Sequence, residues 1–515
     1  MIPFKPFNPI SLNFVSLAKF KYWQKRGIME IPPVPFVGNF GKCLIMKRQV
    51  GLFVEDLYKE AKGRPFMGFY VFDKPFFLAC DAELVKNVLV KDFNYFSDRY
   101  ATPDVRDRLG YTSLFMIKNP EWKMLRTKIT PIYTSGKLKR LFELMVEVGD
   151  DLDRCLESMK NGRIKWTRDK RSDTCNGKDV EMKDFCGNFT TDLIGTTAYG
   201  LKVDSMNNPD TPFREHGRKI FTANFRRGFE FLSIFFAPNL VGPIGASFFS
   251  KESTHFLRTV FWDVINQRKE SGIKRGDLID LLLELKEKHV NDTSLGDFKF
   301  DGDDLVSQAA IFFTGGFETS STVMSCTLYE LALYPEIQQK LRKEIHDSLE
   351  ANGGKITYDM ITSMPYLDMV VAEGLRKYPP LGFLDRVANA DYKIPNSDVV
   401  LEKGTPVFIS ILGLHYDPQY FPEPDKFDPE RFSEENKRSR PSCVYIPFGE
   451  GPHMCIGLRL GLLQAKLGLI QVLRKFEVRP CAKTTIPMEL DPKMIIVAPR
   501  GGLYLNIRKL TTDAA

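Results

Sequence analysis

Apolar residues recur at helical spacing across residues 120–378, and shorter strand-like runs lie on either side of that stretch. Such runs fall at residues 69–78, 405–411 and 494–505, and the last carries a Gly501-Gly502 turn that reads as a hairpin. The longest helical pattern covers residues 303–334 and is stopped by Pro335. At 1.5 Å per residue it spans roughly 48 Å, enough to cross a whole domain. A second apolar, helix-like segment at 458–476 follows a glycine-rich loop. No linker, low-complexity run or repeat divides the chain after residue 38. The pattern predicts a mainly α fold with a minor antiparallel β region in one large domain.

The amino terminus has a different character. Ile2, Phe4, Phe7, Ile10, Leu12, Phe14, Val15, Leu17 and Phe20 are interrupted by three prolines and Lys5. A spanning helix needs about 20 mostly apolar residues, so this is a poor transmembrane segment. A basic cluster (Lys19, Lys21, Lys25, Arg26) and the run Ile31-Pro-Pro-Val-Pro-Phe-Val-Gly38 follow. Together they predict a membrane-associating segment over 1–30, hinged to a globular body over 31–510 with a short tail at 511–515. A frayed leader on a soluble protein is the alternative.

Composition narrows the class. With 515 residues, 43% hydrophobic and 27% charged, the chain can bury a large core, which excludes disorder. The 41 Phe outnumber the 18 Tyr and 4 Trp, and ten of them fall between Phe213 and Phe256. A net charge of +7 lacks the dense basic stripe of a nucleic-acid binder. Nine widely spaced cysteines without a C-x-x-C suit reduced thiols rather than a disulfide framework. The phosphate-loop, zinc-protease, serine-hydrolase and dinucleotide signatures are all absent.

Four pieces carry chemistry. In Phe448-Gly-Glu-Gly-Pro-His-Met-Cys455-Ile-Gly457 a cysteine sits among glycines just before a helix, where dipole and backbone N–H groups favour a thiolate. Such a thiolate suits an iron axial ligand, although composition alone reads Cys455 as an inert core cysteine more often. Inside the longest helix, Thr314, Gly315, Gly316, Glu318 and Thr319 put two glycines beside an acid and a hydroxyl. The glycines cost about 2 kcal/mol against alanine, so something needs room there: a ligand served by proton delivery, or a helix crossing. Glu373 and Arg376 share one helical face, with Arg431 as a second guanidinium. Trp122 and Arg126 form an i,i+4 pair that either packs or aims at an anion.

In this order and spacing the four pieces resemble the cytochrome P450 superfamily, from the proline hinge to near Leu510. Tyr133-Thr-Ser-Gly-Lys137, Gly316-Phe-Glu-Thr-Ser320 and Phe383-Leu-Asp-Arg386 are similar to the insect microsomal detoxification branch. The resemblance implies a haem-thiolate fold with Cys455 as axial ligand to haem b, shielded by Phe448, with Gly451, His453 and Gly457 completing the loop. It implies that Trp122, Arg126 and Arg386 hold the haem propionates and that Glu373, Arg376 and Arg431 form a buried structural network. Glu318 and Thr319 would deliver protons, and Gly315-Gly316 would leave room for O2. Leu114, Phe115, Ile311, Thr314, Leu381, Phe383, Leu384 and Ile495 match pocket walls, so a lipophilic substrate is expected.

The implied reaction is monooxygenation with NADPH electrons from a partner reductase, and a cytochrome b-type donor as a second source. The implied setting is the cytosolic face of the endoplasmic reticulum membrane. Lys118, Lys123, Lys128, Lys137, Lys139, Arg140, Lys437, Arg438 and Arg440 would face the reductase. His453 stands where most microsomal relatives carry Arg, which makes its charge pH-dependent, and Gly315 replaces a commoner alanine. Xenobiotic metabolism is the leading role. Hormone or fatty-acid hydroxylation, a reductase-independent isomerase and a sequestering protein stay open.

Overall fold

The computed structural model describes residues 20–159, 177–289 and 296–510. Most of the expected membrane-associating segment, and the tail at 511–515, lie outside the described residues. Among those described, no helix is long and apolar enough to cross a membrane.

The elements that place the site are, in chain order, α1 (Val50–Glu60), β1 (Phe66–Val71), β2 (Lys74–Ala79), α2 (Glu121–Ile129), α3 (Ser135–Met159), β3 (Lys178–Glu181), α4 (Met182–Ile194), α5 (Pro212–Ile220), α6 (Phe225–Phe236), α7 (Gly302–Leu333), α8 (Pro365–Lys377), β4 (Phe383–Val387), β5 (Tyr392–Lys393), β6 (Val400–Leu401), β7 (Pro406–Ser410), α9 (Ile411–His415), α10 (Leu458–Leu473), β8 (Phe476–Pro480) and β9 (Tyr504–Lys509). Helix α7 is buried along most of its length, many of its polar side chains included, as a helix through the middle of a large domain is. Asp301 caps it, accepting from Gly302 N–H at 2.8 Å, and Asp303 and Asp304 favour its positive end. It packs against α4, α8 and α10.

One sheet runs β1-β2-β7-β4, with β2 and β7 parallel and the other pairs antiparallel. A second sheet runs β3-β9-β8, and β5 pairs with β6. The minor β region is therefore mixed rather than wholly antiparallel.

Three sequence expectations are corrected. The single run at 69–78 is two strands, because the chain reverses at Phe72, whose φ is 54°. The expected hairpin about Gly501-Gly502 does not form. Residues 494–498 are buried, and their backbone bonds go elsewhere: Val497 N–H donates to Pro380 O at 2.9 Å, and Met494 O accepts from Gln49 Nε2 at 3.1 Å. Only β9 beyond the turn is a strand, and it pairs with β3 and β8. The helix expected over 458–476 ends at Leu473, and Phe476 opens β8.

Candidate functional site

A cavity of about 310 Å³ lies between α7, the loop before α10 and the roof formed by α6 and its neighbours. Cys455 opens onto it. Its N–H donates to Phe448 O at 2.8 Å, and Met454 N–H donates to Gly451 O at 2.9 Å, which rolls the loop into a tight turn. Gly449 and Gly451 have φ of 72° and 71°. A Cβ on Gly451 would stand 2.1 Å from Leu89 O, so this glycine is fixed by a turn and a close approach together. Gly451 itself does not line the cavity, whereas Phe448, His453 and Gly457 do. The thiol is open to the cavity yet walled off from outside solvent. Burial raises its pKa, and Gly457 N–H, Arg126 and Arg99 oppose that rise.

Three guanidinium groups converge on the same space. Arg126, Arg386 and Arg99, the last not foreseen from the sequence, all line the cavity. Arg126 donates to Met454 O at 2.7 Å, Arg386 to Asp385 O at 2.7 Å, and Arg99 reaches Asp385 Oδ1 at 3.4 Å. Nε of Arg99 and of Arg386 are buried without partners. Burial, followed by the Arg99 charge, pushes the Arg386 pKa down to about 9. One partly engaged carboxylate does not balance three cations, one of them fully buried and two partly so, and the site therefore suits a ligand bearing acidic groups.

His453 differs from its expectation. Its Nε2 lies 2.8 Å from Ser97 O and donates to it, and its ring sits 3.7 Å from Trp122 and 5.3 Å from Phe93. Burial, reinforced by Arg386, Arg99 and Arg126, pushes its pKa down to about 2. The imidazole is therefore neutral and spends its donor on Ser97 O, just after the Phe93–Tyr95 turn, rather than on a charge in the cavity.

On α7, Thr319 Oγ1 donates to Gly315 O at 2.5 Å and lines the cavity, and a Cβ on Gly315 would meet nothing within 4 Å. Gly316 answers another need: a Cβ there would stand 2.2 Å from Ile194 Cδ1, so its smallness lets α4 pack against α7. Glu318 is not on the cavity wall. Its carboxylate pairs with Lys183 Nζ at 2.9 Å, and that amine also donates to Glu318 O, Ser321 Oγ and Thr322 Oγ1. On a helix the residue before Thr319 points about 100° away, so acid and hydroxyl face different neighbours.

Of the expected pocket walls, Leu114, Phe115, Ile311, Thr314, Leu381, Leu384 and Ile495 line the cavity. Phe383 does not: as the neighbour of Leu384 on β4 it points to the other face, where its ring packs on Phe235, Phe236 and Phe408. The roof phenylalanines Phe221, Phe231, Phe235 and Phe248 take part instead.

Beneath the site, Glu373 and Arg376 are both 0% exposed and form a bidentate pair at 2.7 and 2.9 Å. Arg431 Nε lies 3.4 Å from Glu373 Oε1, and Asp428 N–H donates to the same oxygen at 3.0 Å. Arg376 also donates to His415 O at 2.8 Å and Pro424 O at 2.7 Å. His415, another residue the sequence did not single out, joins this network to the cysteine loop. Its Nδ1–H donates to Arg376 O at 3.0 Å, and its Nε2 accepts from Ile446 N–H at 3.1 Å.

Burial pushes the His415 pKa down from the usual 6.5 to about 3. Between those values the unfolded chain takes up a proton that the folded chain refuses, so stability falls as pH drops. The slope from this one group is at most about 1.4 kcal/mol per pH unit. Denaturant melts taken from about pH 7 to about pH 5 should show that slope in the parent protein and lose it in His415→Asn. An unchanged slope would remove His415 from the account.

On the outer face, Lys123, Lys139, Arg140, Lys437 and Arg438 are exposed. Lys118 and Arg440 are not docking groups. Lys118 donates to Arg99 O and Ala101 O, and Arg440 donates to Arg431 O while lying over Phe421 and Phe432.

The sequence model of the family described as Cytochrome P450 matches residues 29–506. The chain is 45% identical over 512 residues to Cytochrome P450 6k1 of Blattella germanica, covering 97% of this chain and 95% of that protein. It is 42% identical over 511 residues to Probable cytochrome P450 6g2 of Drosophila melanogaster, covering 97% and 96%. It is also 39% identical over 502 residues to Cytochrome P450 6j1 of Blattella germanica, covering 97% and 96%.

Proposed function

The chain belongs to the cytochrome P450 family, of the insect type, and is a monooxygenase; from that premise we propose that it oxidises lipophilic foreign compounds with electrons from an NADPH-dependent reductase. The observation that carries the reading is one cavity that joins the Cys455 thiol, three under-compensated arginines and an apolar roof.

Membership in the family implies haem b and O2. The residues fit that group: a thiol for the iron, and Arg99, Arg126 and Arg386 for its two propionates. Bound there, haem supplies the redox chemistry that splits O2, placing one atom in a C–H bond of the substrate and the other in water at a cost of two electrons and two protons. Phe448 covers the sulfur side. Thr319 holds a proton at Oγ1 on the cavity wall, and the bare Cα of Gly315 leaves its carbonyl free to receive that hydroxyl. Glu318, fastened by Lys183, acts at one remove from the cavity. Leu114, Phe115, Ile311 and the roof phenylalanines bind apolar substrate and exclude water.

The exposed Lys123, Lys139, Arg140, Lys437 and Arg438 suit an acidic reductase face. Val34, Phe36 and Ile45, with Leu240 and Ile244, are exposed apolar groups that suit a lipid surface. The buried Phe40 packs its ring against Phe236, the last residue of α6, at 4.7 Å. We read the setting as the cytosolic face of the endoplasmic reticulum.

The test places the purified full chain with reductase in phospholipid vesicles, with NADPH, isotopically labelled O2 and a panel of plant toxins, insecticides, fatty acids and steroid-like hormones. Label in several foreign compounds is the expected result, with the protein floating with the vesicles. Label confined to one hormone or fatty acid would overturn the detoxifying role. Absence of reductase-dependent NADPH use in haem-loaded protein would overturn the electron route. In the same assay Thr319→Ala should lower product per NADPH several-fold and raise peroxide; unchanged coupling would remove the role of its hydroxyl.

A further inference from the structure

Three cavity phenylalanines share a single buried anchor behind them. Arg227, on α6 and 7% exposed, donates from Nε and Nη2 to Ile220 O at 3.3 and 3.2 Å, from Nη2 to Phe248 O at 2.7 Å and from Nη1 to Ser247 O at 2.9 Å. Its guanidinium carbon lies 4.7 Å from the centre of the Phe231 ring, and its charge is met by Glu230. Ile220 immediately precedes Phe221, so one side chain fixes the backbone behind Phe221 and Phe248 and the face of Phe231. Those rings also touch one another: Phe221 and Phe231 stack at 5.8 Å, and Phe231 meets Phe248 edge-on at 5.5 Å.

The same roof segment is gripped from its other side. Asp107 Oδ2 accepts from Phe248 N–H at 2.6 Å and Phe249 N–H at 3.2 Å, while Oδ1 accepts from Gly110 N–H at 3.2 Å. Gly110 stands four residues before Leu114 and five before Phe115, which also line the cavity, and a Cβ on it would stand 2.4 Å from Asp107 Oδ2. The chain on either side is moored as well: Arg106 donates to Gly242 O at 2.7 Å, and Arg108 to Asp304 Oδ2 at 2.6 Å.

We propose that Asp107 and Arg227 are the specificity-determining positioning residues of this enzyme, a two-sided clamp on residues 247–249 that sets the aperture between Phe221, Phe231 and Phe248 and so the length of apolar substrate admitted. A segment with its N–H groups and carbonyls both held by charged partners cannot slide without breaking charge-assisted bonds. Phenylalanine rings on a fixed backbone present a wall of fixed shape, whereas rings on a loosened one repack around whatever enters. The inference rests on the reading that haem lies at Cys455.

The test measures calorimetric binding of imidazole and of N-butyl-, N-octyl- and N-dodecylimidazole to haem-loaded protein, beside hydrogen exchange at the Phe248 and Phe249 amides. Imidazole needs the iron but not the roof, so it reports on the haem reading separately. In Asp107→Ala the ratio of the dodecyl to the butyl dissociation constant should shift by about tenfold, with imidazole itself unchanged. Exchange at the two amides should accelerate about tenfold or more. Asp107→Asn keeps one acceptor oxygen for Phe248 and Phe249 but loses the charge and sets an NH2 against Gly110 N–H, so it should fall between the parent and Asp107→Ala in both readouts. Equal shifts for all four ligands, or faster exchange without a change in the ratio, would overturn the clamp as a determinant of specificity. Failure of imidazole to bind the parent would overturn the haem reading, whereas exchange at the Phe248 and Phe249 amides, which needs no haem, would overturn the clamp itself if it stayed at the parent's rate in Asp107→Ala.

Discussion

Cys455→Ala is expected to leave a folded protein with no monooxygenation above background. The loop's shape comes from its backbone: the Cys455 N–H bond to Phe448 O, the Met454 N–H bond to Gly451 O and the left-handed turns at Gly449 and Gly451 do not involve the sulfur. The thermal midpoint of the apoprotein should therefore move by only a few degrees. What disappears is the single soft anionic ligand on the cavity floor, and with it the electron donation that favours O–O cleavage. No other described cysteine lines the cavity, so none can stand in. Product formation, the haem spectrum and melting of the apoprotein separate the outcomes. Retained turnover would sink the assignment, and collapse of the apoprotein would show that the thiol also supports the fold.

Arg376→Ala is the second large effect, and it strikes through folding. Its guanidinium makes two bonds to Glu373 and three to backbone carbonyls at distances of 2.7 to 3.3 Å, in a wholly buried position. Removing one partner of a buried pair leaves an uncompensated charge and costs about 3–5 kcal/mol. Domains have only about 5–15 kcal/mol to lose. The network also grips the cysteine loop through His415 and Ile446, so damage reaches the site directly. The expected result is a small fraction of the parent's haem-loaded yield. Arg376→Lys should rescue little, because an ammonium cannot reproduce the planar fork. Normal haem content in Arg376→Ala would refute the structural role.

The legible parts of the site were those where chemistry and spacing coincide within a few residues. The cysteine loop, the Glu373–Arg376 turn and the glycine pair inside α7 each announce themselves locally. Arg99 and His415 did not, because each gains its place through partners hundreds of positions away or in another element: Arg99 through Asp385, and His415 through Arg376 and Ile446. Single-position neighbours were also hard to separate. Glu318 and Thr319, or Phe383 and Leu384, are adjacent in sequence but face different neighbours, about 100° apart by helix rotation in one case and on opposite faces by strand alternation in the other. The misplaced hairpin has a related cause. The apolar run at 494–498 has strand composition, yet Gln49 and Pro380 take its backbone groups, and no local pattern foretells that. Fold class survived these errors because α7 and its caps dominate the periodicity.

The parallel pairing of β2 with β7 has a consequence for how the chain is made. Leu78 and its partner Phe408 are 330 positions apart. At about 5–20 residues per second, a ribosome delivers β7 roughly 15 to 70 s after β2. Throughout that interval the β1–β2 hairpin, with Phe76, Phe77 and Leu78 all 0% exposed when folded, must wait with an open apolar edge. No rearrangement among earlier residues closes it, because the missing strand has not yet been synthesised. For that interval the exposed edge is a site where two nascent chains can pair, and slowing or accelerating translation between the two strands is expected to change the aggregated fraction.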